Sequence, residues 1–305
     1  MAELTSPVIV PGTHQMLFST RQLNPLNLGI TLFTSNDDLL LADIDTGAIK
    51  QLLAIGQGGN FLVSPDGKLV AVQAPDQIEV ITTQGEIVFQ APFTYPEDDI
   101  YTTTIPMAWT QDSRELFVVP PISTSEIPSN RGYPLLRTIW RYSLDNNSGV
   151  EIRLDPPPVS YWLGMSPDGN WIVYSYELGY PGSVNWDAGK PVGIYLGNLQ
   201  DGTSKLLYSP EIGASVAPYL VHYWLPDSTR FVLGDYGMGL YIGNFQGEIT
   251  HLYRGGYFSW LDNRRYFYGG DSLGEIGKEE KFKVMEYPAG FELFKSQITL
   301  VFLEP

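Results

Sequence analysis

One short hairpin motif recurs along this chain and constrains its fold more than any other feature. Its clearest copy spans residues 163–175, where an apolar segment, a Pro-Asp-Gly turn and a second apolar-rich segment follow one another. Proline presets the first turn position, aspartate hydrogen-bonds nearby backbone, and glycine relieves the steric limit at the end of the turn. The motif therefore predicts two antiparallel strands joined by a tight turn.

Copies of this motif are spaced like the repeats of a propeller. Intervals of 46, 56, 59 and 35 residues separate the turn aspartates, which are Asp66, Asp112, Asp168, Asp227 and Asp262. These intervals bracket the length of a four-stranded propeller blade. A further strand meander at residues 15–53 raises the number of units to six. Because an open ring would expose unpaired strand edges, we expect residues 297–303 to supply a closing strand.

The predicted fold class is all-β, a six-bladed β-propeller of four-stranded antiparallel blades whose ring is closed by a terminal strand. Residues 1–14 contain two prolines and little pattern, so they are predicted to be an N-terminal arm, and residues 15–305 a single propeller domain. The aromatic content of 13% favours strands, and 31 glycines and 23 prolines supply frequent turns.

The apolar-Ser-Pro-Asp-Gly pattern resembles the repeat of TolB-type six-bladed propellers. The Pro-Asp pair is intact at Asp66, Asp168 and Asp227, whereas the copies at Asp112 and Asp262 lack the proline. The resemblance covers residues 29–294 and implies a propeller in an extracytoplasmic compartment, periplasmic or secreted. No signal-peptide pattern is seen in residues 1–20. Many unrelated propellers share this repeat, so the resemblance leaves function open.

Composition excludes several classes of function. The net charge of -16 opposes binding to nucleic acid or to anionic membrane surfaces, since both need a basic counter-surface. The absence of cysteine excludes disulfides, thiolate zinc sites and cysteine nucleophiles. No apolar run approaches the length of a membrane span, so we expect no membrane insertion. A monomer is expected.

The long connections between predicted strands are the expected binding face. Antiparallel alternation places the short Pro-Asp-Gly turns at one face of the disc and the connections at 91–106, 120–137 and 177–192 at the other, around the mouth of a central channel. Loop elaboration on one side of a repeat scaffold often marks the binding side. The candidate ligand- or partner-binding residues are Tyr95, Asp98, Asp99, Tyr101, Arg131, Tyr133, Tyr180, Trp186, Asp187 and His222.

No catalytic residue is assigned. The chain has three histidines, and sequence spacing supplies none of them with a partner for acid–base chemistry. Neither a Gly-x-Ser-x-Gly elbow nor a phosphate-binding loop is present. Two acidic segments, at residues 43–47 and 97–99, offer oxygen ligands of the kind calcium prefers. Ordinary turn chemistry also accounts for the first. We therefore expect no cofactor, with a divalent cation as the alternative.

These observations predict a non-enzymatic binding or scaffold propeller that presents a loop-rich, aromatic and acidic face to a protein, peptide or glycan partner. The alternative is a hydrolase or lyase that acts on a carbohydrate or a small ester at the channel mouth and uses a divalent cation. Fold does not decide between them, because function depends on the site carried by the fold.

Overall fold

In the part of the chain that the computed structural model describes, every regular element is a β-strand. The structure describes residues 3–21, 38–74, 77–92, 101–102, 105–119, 122–123, 138–157, 163–176, 193–209, 220–234, 239–254, 258–260, 262–268, 272–278 and 282–283. In this part of the chain no helix is long and apolar enough to cross a membrane. The chain forms two compact units, unit 1 up to Arg153 and unit 2 from Leu154.

The described residues of unit 1 form three four-stranded antiparallel sheets, each with its strands in chain order. Sheet 1 consists of β1 (Glu3–Ile9), β2 (Gln15–Arg21), β3 (Leu39–Asp43) and β4 (Ile49–Leu53). Sheet 2 consists of β5 (Phe61–Val63), β6 (Leu69–Gln73), β7 (Gln77–Thr82) and β8 (Ile87–Pro92). Two short strands, β9 (Tyr101–Thr102) and β12 (Ile122–Ser123), form a separate pair. Sheet 3 consists of β10 (Ile105–Trp109), β11 (Glu115–Val119), β13 (Ile139–Ser143) and β14 (Ser148–Ile152).

The described residues of unit 2 form three more four-stranded antiparallel sheets with their strands in chain order. Sheet 4 consists of β15 (Leu163–Met165), β16 (Trp171–Tyr176), β17 (Gly193–Asn198) and β18 (Ser204–Tyr208). Sheet 5 consists of β19 (Leu220–Trp224), β20 (Arg230–Gly234), β21 (Gly239–Asn244) and β22 (Ile249–Arg254). Sheet 6 consists of β23 (Phe258–Trp260), β24 (Arg265–Tyr268), β25 (Ser272–Glu275) and β26 (Phe282–Lys283). The prediction of an all-β chain of four-stranded antiparallel sheets is confirmed.

Antiparallel pairing gives each sheet two different ends. The turn between its first and second strands and the turn between its third and fourth strands lie at one end, which we call the hairpin end. The connection between its second and third strands, and the connection that arrives from the preceding sheet, lie at the other end, which we call the loop end. In sheet 3 the connections at the loop end are two of the three long ones singled out from the sequence, at residues 91–106 and 120–137.

The turn aspartates are part of the hairpin structure. In the turn of sheet 2, Asp66 Oδ1 accepts hydrogen bonds from Ser64 Oγ at 2.7 Å and from the Lys68 backbone N–H at 3.1 Å. Asp112 and Asp168 make the equivalent pair of contacts in sheets 3 and 4. The hydrogen bond from Thr110 helps to lower the pKa of Asp112. The interpretation of these aspartates as hairpin geometry is confirmed.

Hydrogen bonds join neighbouring hairpins within a unit. In each, the side chain at the fourth position of one turn accepts from the turn of the preceding sheet. Ser113 Oγ accepts a hydrogen bond from the Asp66 backbone N–H at 3.1 Å, and Ser228 Oγ accepts one from the Asp168 N–H at 3.0 Å. Both serines have positive φ angles, 60° and 59°, a conformation that usually favours glycine. The hydrogen bond to the adjacent sheet offsets this backbone strain.

Separate apolar cores fill the spaces between adjacent sheets. The core between sheets 1 and 2 includes Val70 and Val72, while Ala71 faces the core between sheets 2 and 3. Successive side chains of a strand point to opposite faces, so β6 is buried on both. This explains why residues 69–72 of β6 are all apolar rather than alternating with polar residues. In unit 2, equivalent cores lie between sheets 4 and 5 and between sheets 5 and 6.

The start of the chain differs from the expectation. The predicted arm at residues 1–14 contains β1, which pairs with β2, so sheet 1 begins at Glu3 instead of residue 15. The Val10–His14 turn lacks the Ser-Pro-Asp-Gly signature, and this hid the hairpin. Residues 22–37 of the predicted meander and the predicted closing strand at residues 297–303 lie outside the described residues. The domain boundary, the six-bladed ring and its closure stay predictions.

We expect the stability of the protein to fall above pH 10 in part through Tyr174. This side chain is fully buried, and its hydroxyl donates to the Pro156 carbonyl oxygen at 2.8 Å. Burial raises the pKa of Tyr174 above its ordinary value of about 10. The unfolded chain therefore loses this proton first, and stability that is complete below pH 10 decreases as the pH rises beyond it.

The measurement is the free energy of unfolding against pH, from about 8 to 11, for the wild type and Tyr174→Phe. The variant is less stable at pH 8 because the Pro156 carbonyl loses its donor, but its alkaline slope is smaller by up to about 1.4 kcal/mol per pH unit. Equal slopes would show that Tyr174 does not contribute to the alkaline loss.

Candidate ligand-binding site at the loop end of sheet 3

Two of the long connections predicted to carry the site meet at the loop end of sheet 3. β9 lies in the connection that enters β10, and β12 lies in the connection that leaves β11. Thr102 pairs with Ile122, and Tyr101 pairs with Ser123. These pairs keep the register of Ile105 with Val119, so β9 and β12 continue the β10–β11 ladder beyond the four-stranded sheet. We call this pair the hairpin extension.

The structure describes the backbone of two of the ten predicted site residues. Tyr101 lies in the hairpin extension. His222 lies in β19 at a β-bulge, where the register shifts between Val221 and Tyr223. Eight lie outside the described residues, namely Tyr95, Asp98, Asp99, Arg131, Tyr133, Tyr180, Trp186 and Asp187. The assignment of these ten residues stays a prediction.

One face of β13 and β14 carries a set of aromatic and polar side chains that runs from the loop end of sheet 3, at Trp140 and Glu151, towards its hairpin end, at Tyr142. Trp140 pairs with Glu151, and Tyr142 pairs with Gly149. Directly opposite residues of an antiparallel pair share a face of the sheet. Thr138 and Arg153 continue the alternation at the ends of the two strands, and both contact Glu151. We call the set formed by Thr138, Trp140, Tyr142, Glu151 and Arg153 the sheet-3 platform.

The aromatic part of the sheet-3 platform is held by close packing. The rings of Trp140 and Tyr142 are nearly parallel, with centroids 5.9 Å apart and planes at 14°. Tyr142 also contacts the buried Phe89 of sheet 2, with ring centroids 5.4 Å apart. A Cβ atom on Gly149 would lie 2.6 Å from Tyr142 Cε1, so glycine is what lets the rings lie over β14. Burial raises the pKa of Tyr142.

The polar part of the sheet-3 platform is centred on one carboxylate oxygen. Glu151 Oε1 accepts hydrogen bonds from Arg153 Nε at 2.8 Å and from Thr138 Oγ1 at 3.0 Å, and Arg153 Nη2 lies 2.8 Å away. These hydrogen bonds, first that from Arg153, lower the pKa of Glu151 and keep it ionised at neutral pH. All three contacts use Oε1, so within the described residues Oε2 is left to accept a hydrogen bond from a ligand.

The metal hypotheses concern two acidic segments. Asp43 Oδ1 accepts hydrogen bonds from Thr46 N at 2.8 Å and Thr46 Oγ1 at 2.7 Å, and Asp45 Oδ2 lies 2.8 Å from His14 Nδ1. The hydrogen bonds from Thr46 lower the pKa of Asp43. Residues 97–99 lie outside the described part of the chain. Among the residues that the structure does describe, no three His, Cys, Asp or Glu side chains are grouped so as to hold a metal ion.

Sequence reasoning did not find Trp140, Glu151 or Arg153. The strand at residues 138–143 was recognisable, and Trp140 and Tyr142 are two residues apart as neighbours on one face require. Which residues of β14 oppose them depends on register, and a register cannot be read from either strand alone. The glycine at position 149 was the available signal, because glycine within a strand often marks a close approach.

No family model matches the sequence, and no curated protein sequence matches it. Solved structures do match. An oligogalacturonate lyase in complex with manganese is 14% identical with a TM-score of 0.55, and the match covers 92% of this chain and 76% of the lyase. The β-propeller domain of the trilobed protease from Pyrococcus furiosus is 14% identical with a TM-score of 0.55, and the match covers 94% of this chain and 84% of the domain.

A third match is to an acylaminoacyl peptidase from Pyrococcus horikoshii, at 16% identity and a TM-score of 0.56. The match covers 94% of this chain but 46% of the peptidase, so the chain spans less than half of that protein. At such identities the likeness concerns the fold alone. Together with the four-stranded antiparallel sheets, it makes the chain a β-propeller protein.

Proposed function

We propose that this chain is a non-enzymatic binding propeller that captures a protein, peptide or glycan partner at its loop end. The observation that carries the proposal is the hairpin extension, in which β9 and β12 pair in the register of β10 and β11. This pairing holds the two longest connections of sheet 3 side by side as antiparallel strands. Loops held on a rigid scaffold in this way are the usual carriers of binding residues.

The contrast between the two ends of the sheets supports this choice of face. At the hairpin end, turn side chains such as those of Asp66 and Ser113 are engaged in hydrogen bonds that close and connect the turns. Changing them to suit a ligand would disturb the scaffold. At the loop end, the connections are long and vary in length between sheets, so a site could be built there without such a cost.

The finer features of the proposal follow the resemblance of the repeats. We propose a six-bladed TolB-type propeller, closed by residues 297–303, that acts as a monomer in an extracytoplasmic compartment and needs no cofactor. The acidic charge of -16 supports a partner other than nucleic acid.

The alternative function is a hydrolase or lyase for a carbohydrate or a small ester, with a divalent cation. The fold is compatible with it, since the chain is similar in structure to an oligogalacturonate lyase and to an acylaminoacyl peptidase. Fold does not determine chemistry, so it does not decide between the two functions. We prefer the binding function because of the hairpin extension, and the test below also has an outcome that would support the enzyme.

The test replaces Tyr95, Tyr133 and Trp186 together by alanine in the full chain. Binding is measured by calorimetry against a panel of extended peptides, purified proteins and oligosaccharides. We expect affinity for a ligand that the wild type binds to fall at least about ten-fold, because aromatic anchors commonly contribute more than 1 kcal/mol each. The free energy of unfolding should change by less than about 0.5 kcal/mol per substitution if the rings are exposed.

A triple alanine variant of the exposed residues Ile49, Ile87 and Val88 is the control, since it removes three apolar side chains away from the predicted loops. A large loss of stability in the aromatic variant would mean that those rings are core, and unchanged binding would contradict the proposal. Cleavage of a bound glycan or ester would support the enzyme.

A further inference from the structure

We propose that the sheet-3 platform binds a neutral pyranose unit of a glycan, with the sugar ring on Trp140 and its hydroxyls on Glu151 and Arg153. This inference rests on the proposed function, since it takes the loop end of sheet 3 as the binding face and names its ligand. It concerns side chains that the structure describes.

The indole of Trp140 supplies a flat and preorganised surface. The side chain is half-buried, and its parallel contact with Tyr142, at 5.9 Å between centroids, fixes the ring orientation. In the described part of the chain Tyr142 is its one aromatic neighbour. The C–H groups on one face of a pyranose form an apolar patch of similar size, which packs on an aromatic face by dispersion and loss of water. A ring already held in place loses little entropy on binding.

The Glu151–Arg153 pair supplies the polar contacts that a diol needs. Glu151 Oε2 is an acceptor beside the ring, because Glu151 and Trp140 are directly opposed on β14 and β13. Arg153 is 74% exposed and has further N–H donors beyond those on Glu151. Sugar hydroxyls both donate and accept, so two adjacent hydroxyls match this acceptor and donor. Hydrogen bonds to ionised groups are the stronger class.

The charge of the site favours neutral sugars. Glu151 and Arg153 neutralise each other at 2.8 Å, so the pair attracts neither anions nor cations strongly. The net charge of the chain, -16, repels acidic sugars such as uronates at a distance. A peptide could also stack on Trp140, but its backbone would offer single donors and acceptors where the platform presents a neighbouring pair.

The experiment is saturation-transfer NMR and calorimetry on the full chain with methyl glycosides of glucose, galactose, mannose and N-acetylglucosamine, followed by their oligosaccharides. We expect one series to bind, with a Kd of about 1 mM or lower for the best ligand. Glu151→Gln should weaken it by about ten-fold or more, since it removes the charged acceptor. Trp140→Phe should weaken it several-fold because the smaller ring keeps the packing on Tyr142 but offers less surface.

Glu115→Gln is the matched control. Its side chain is 33% exposed against 34% for Glu151, and it also pairs with an arginine, Arg141 at 3.8 Å. Glu115 lies on the other face of sheet 3 at the hairpin end, where it pairs with Ser143. Binding should stay within about two-fold of wild type in this variant, and melting curves of all three variants show whether each is folded.

Three results would overturn the inference. These are binding of no neutral glycoside in the panel, binding that survives both Glu151→Gln and Trp140→Phe, and equal losses in Glu151→Gln and Glu115→Gln. If glycosides fail while a peptide or protein binds and is lost in the triple aromatic loop variant, the proposed function stands and this ligand class is wrong. If no ligand of any class binds, both are wrong.

Discussion

Replacing Gly67 by alanine is expected to lower the free energy of unfolding by about 3 kcal/mol or more. Gly67 has a φ angle of +69°, where a Cβ atom costs roughly 1–2 kcal/mol. The added Cβ would also lie 2.3 Å from the Pro11 carbonyl oxygen and 3.2 Å from Val10 Cγ1 in the β1–β2 turn of sheet 1. Backbone atoms cannot move aside as a side chain can, so the two hairpins would have to separate.

Gly12→Ala provides the matched comparison for this first prediction. Gly12 has the same φ angle, +69°, but nothing lies within 4 Å of an added Cβ. The expected loss of stability is therefore only the cost of placing alanine at a positive φ angle, about 1–2 kcal/mol. Urea titration of both variants gives the difference, which measures the contact between the hairpins of sheets 1 and 2. Equal losses would show that this contact has no energetic role.

Trp224→Phe is expected to destabilise unit 2 by about 2–3 kcal/mol. Trp224 is buried, and its Nε1–H donates to the Gly164 carbonyl oxygen at 2.7 Å, which joins sheet 5 to sheet 4. Phenylalanine would leave that carbonyl without its donor and a cavity beside Phe231, whose ring centroid is 5.4 Å from that of Trp224. Both effects cost free energy, the first about 1–3 kcal/mol.

The control for the tryptophan is Trp171→Phe in the adjacent sheet. Trp171 is half-buried and packs on Phe245, with ring centroids 5.3 Å apart. Within the described residues its indole N–H makes no hydrogen bond. We expect a loss below about 1 kcal/mol, since only part of the apolar contact is removed. Thermal unfolding followed by near-ultraviolet circular dichroism measures both. A similar loss in both variants would contradict a role for the hydrogen bond to Gly164.

The same kind of contact recurs in unit 1, where Trp109 Nε1 donates to the Leu62 carbonyl oxygen at 3.0 Å. Trp109 and Trp224 both end the first strand of their sheet, immediately before the turn. In both repeats an indole N–H in the first strand of one sheet donates a hydrogen bond to the first strand of the preceding sheet. This shared contact explains why a tryptophan occupies the position in these two repeats. The sequence displays the two tryptophans but not their acceptors.

Much of the fold could be predicted because the relevant chemistry is local. The turn at residues 64–69 is closed by hydrogen bonds among adjacent residues, and the same residue types recur wherever the same turn forms. At the start of the chain, where the Ser-Pro-Asp-Gly signature is absent, the hairpin was not predicted. The Val10–His14 turn closes a hairpin without a Ser-Pro-Asp-Gly sequence, so β1 was predicted as part of an arm.

The candidate site was predicted in outline only. Length alone identified the connections around β9 and β12, but their pairing joins residues about twenty positions apart through one short ladder. The sheet-3 platform depends on the register of β13 with β14 and on packing against Phe89 of another sheet. None of these contacts leaves a periodic signal in the sequence.

The sequence by itself determined the class of fold, the repeated four-stranded units and the structural role of aspartates such as Asp168. Each of these follows from turn chemistry and alternation within a few consecutive residues. Only the tertiary structure decided that Ser113 and Ser228 have positive φ angles and accept hydrogen bonds from a neighbouring hairpin. It also decided that Trp140 and Glu151 share one face of sheet 3. Those outcomes depend on contacts between residues distant in the chain, whose geometry is set by packing between strands and sheets.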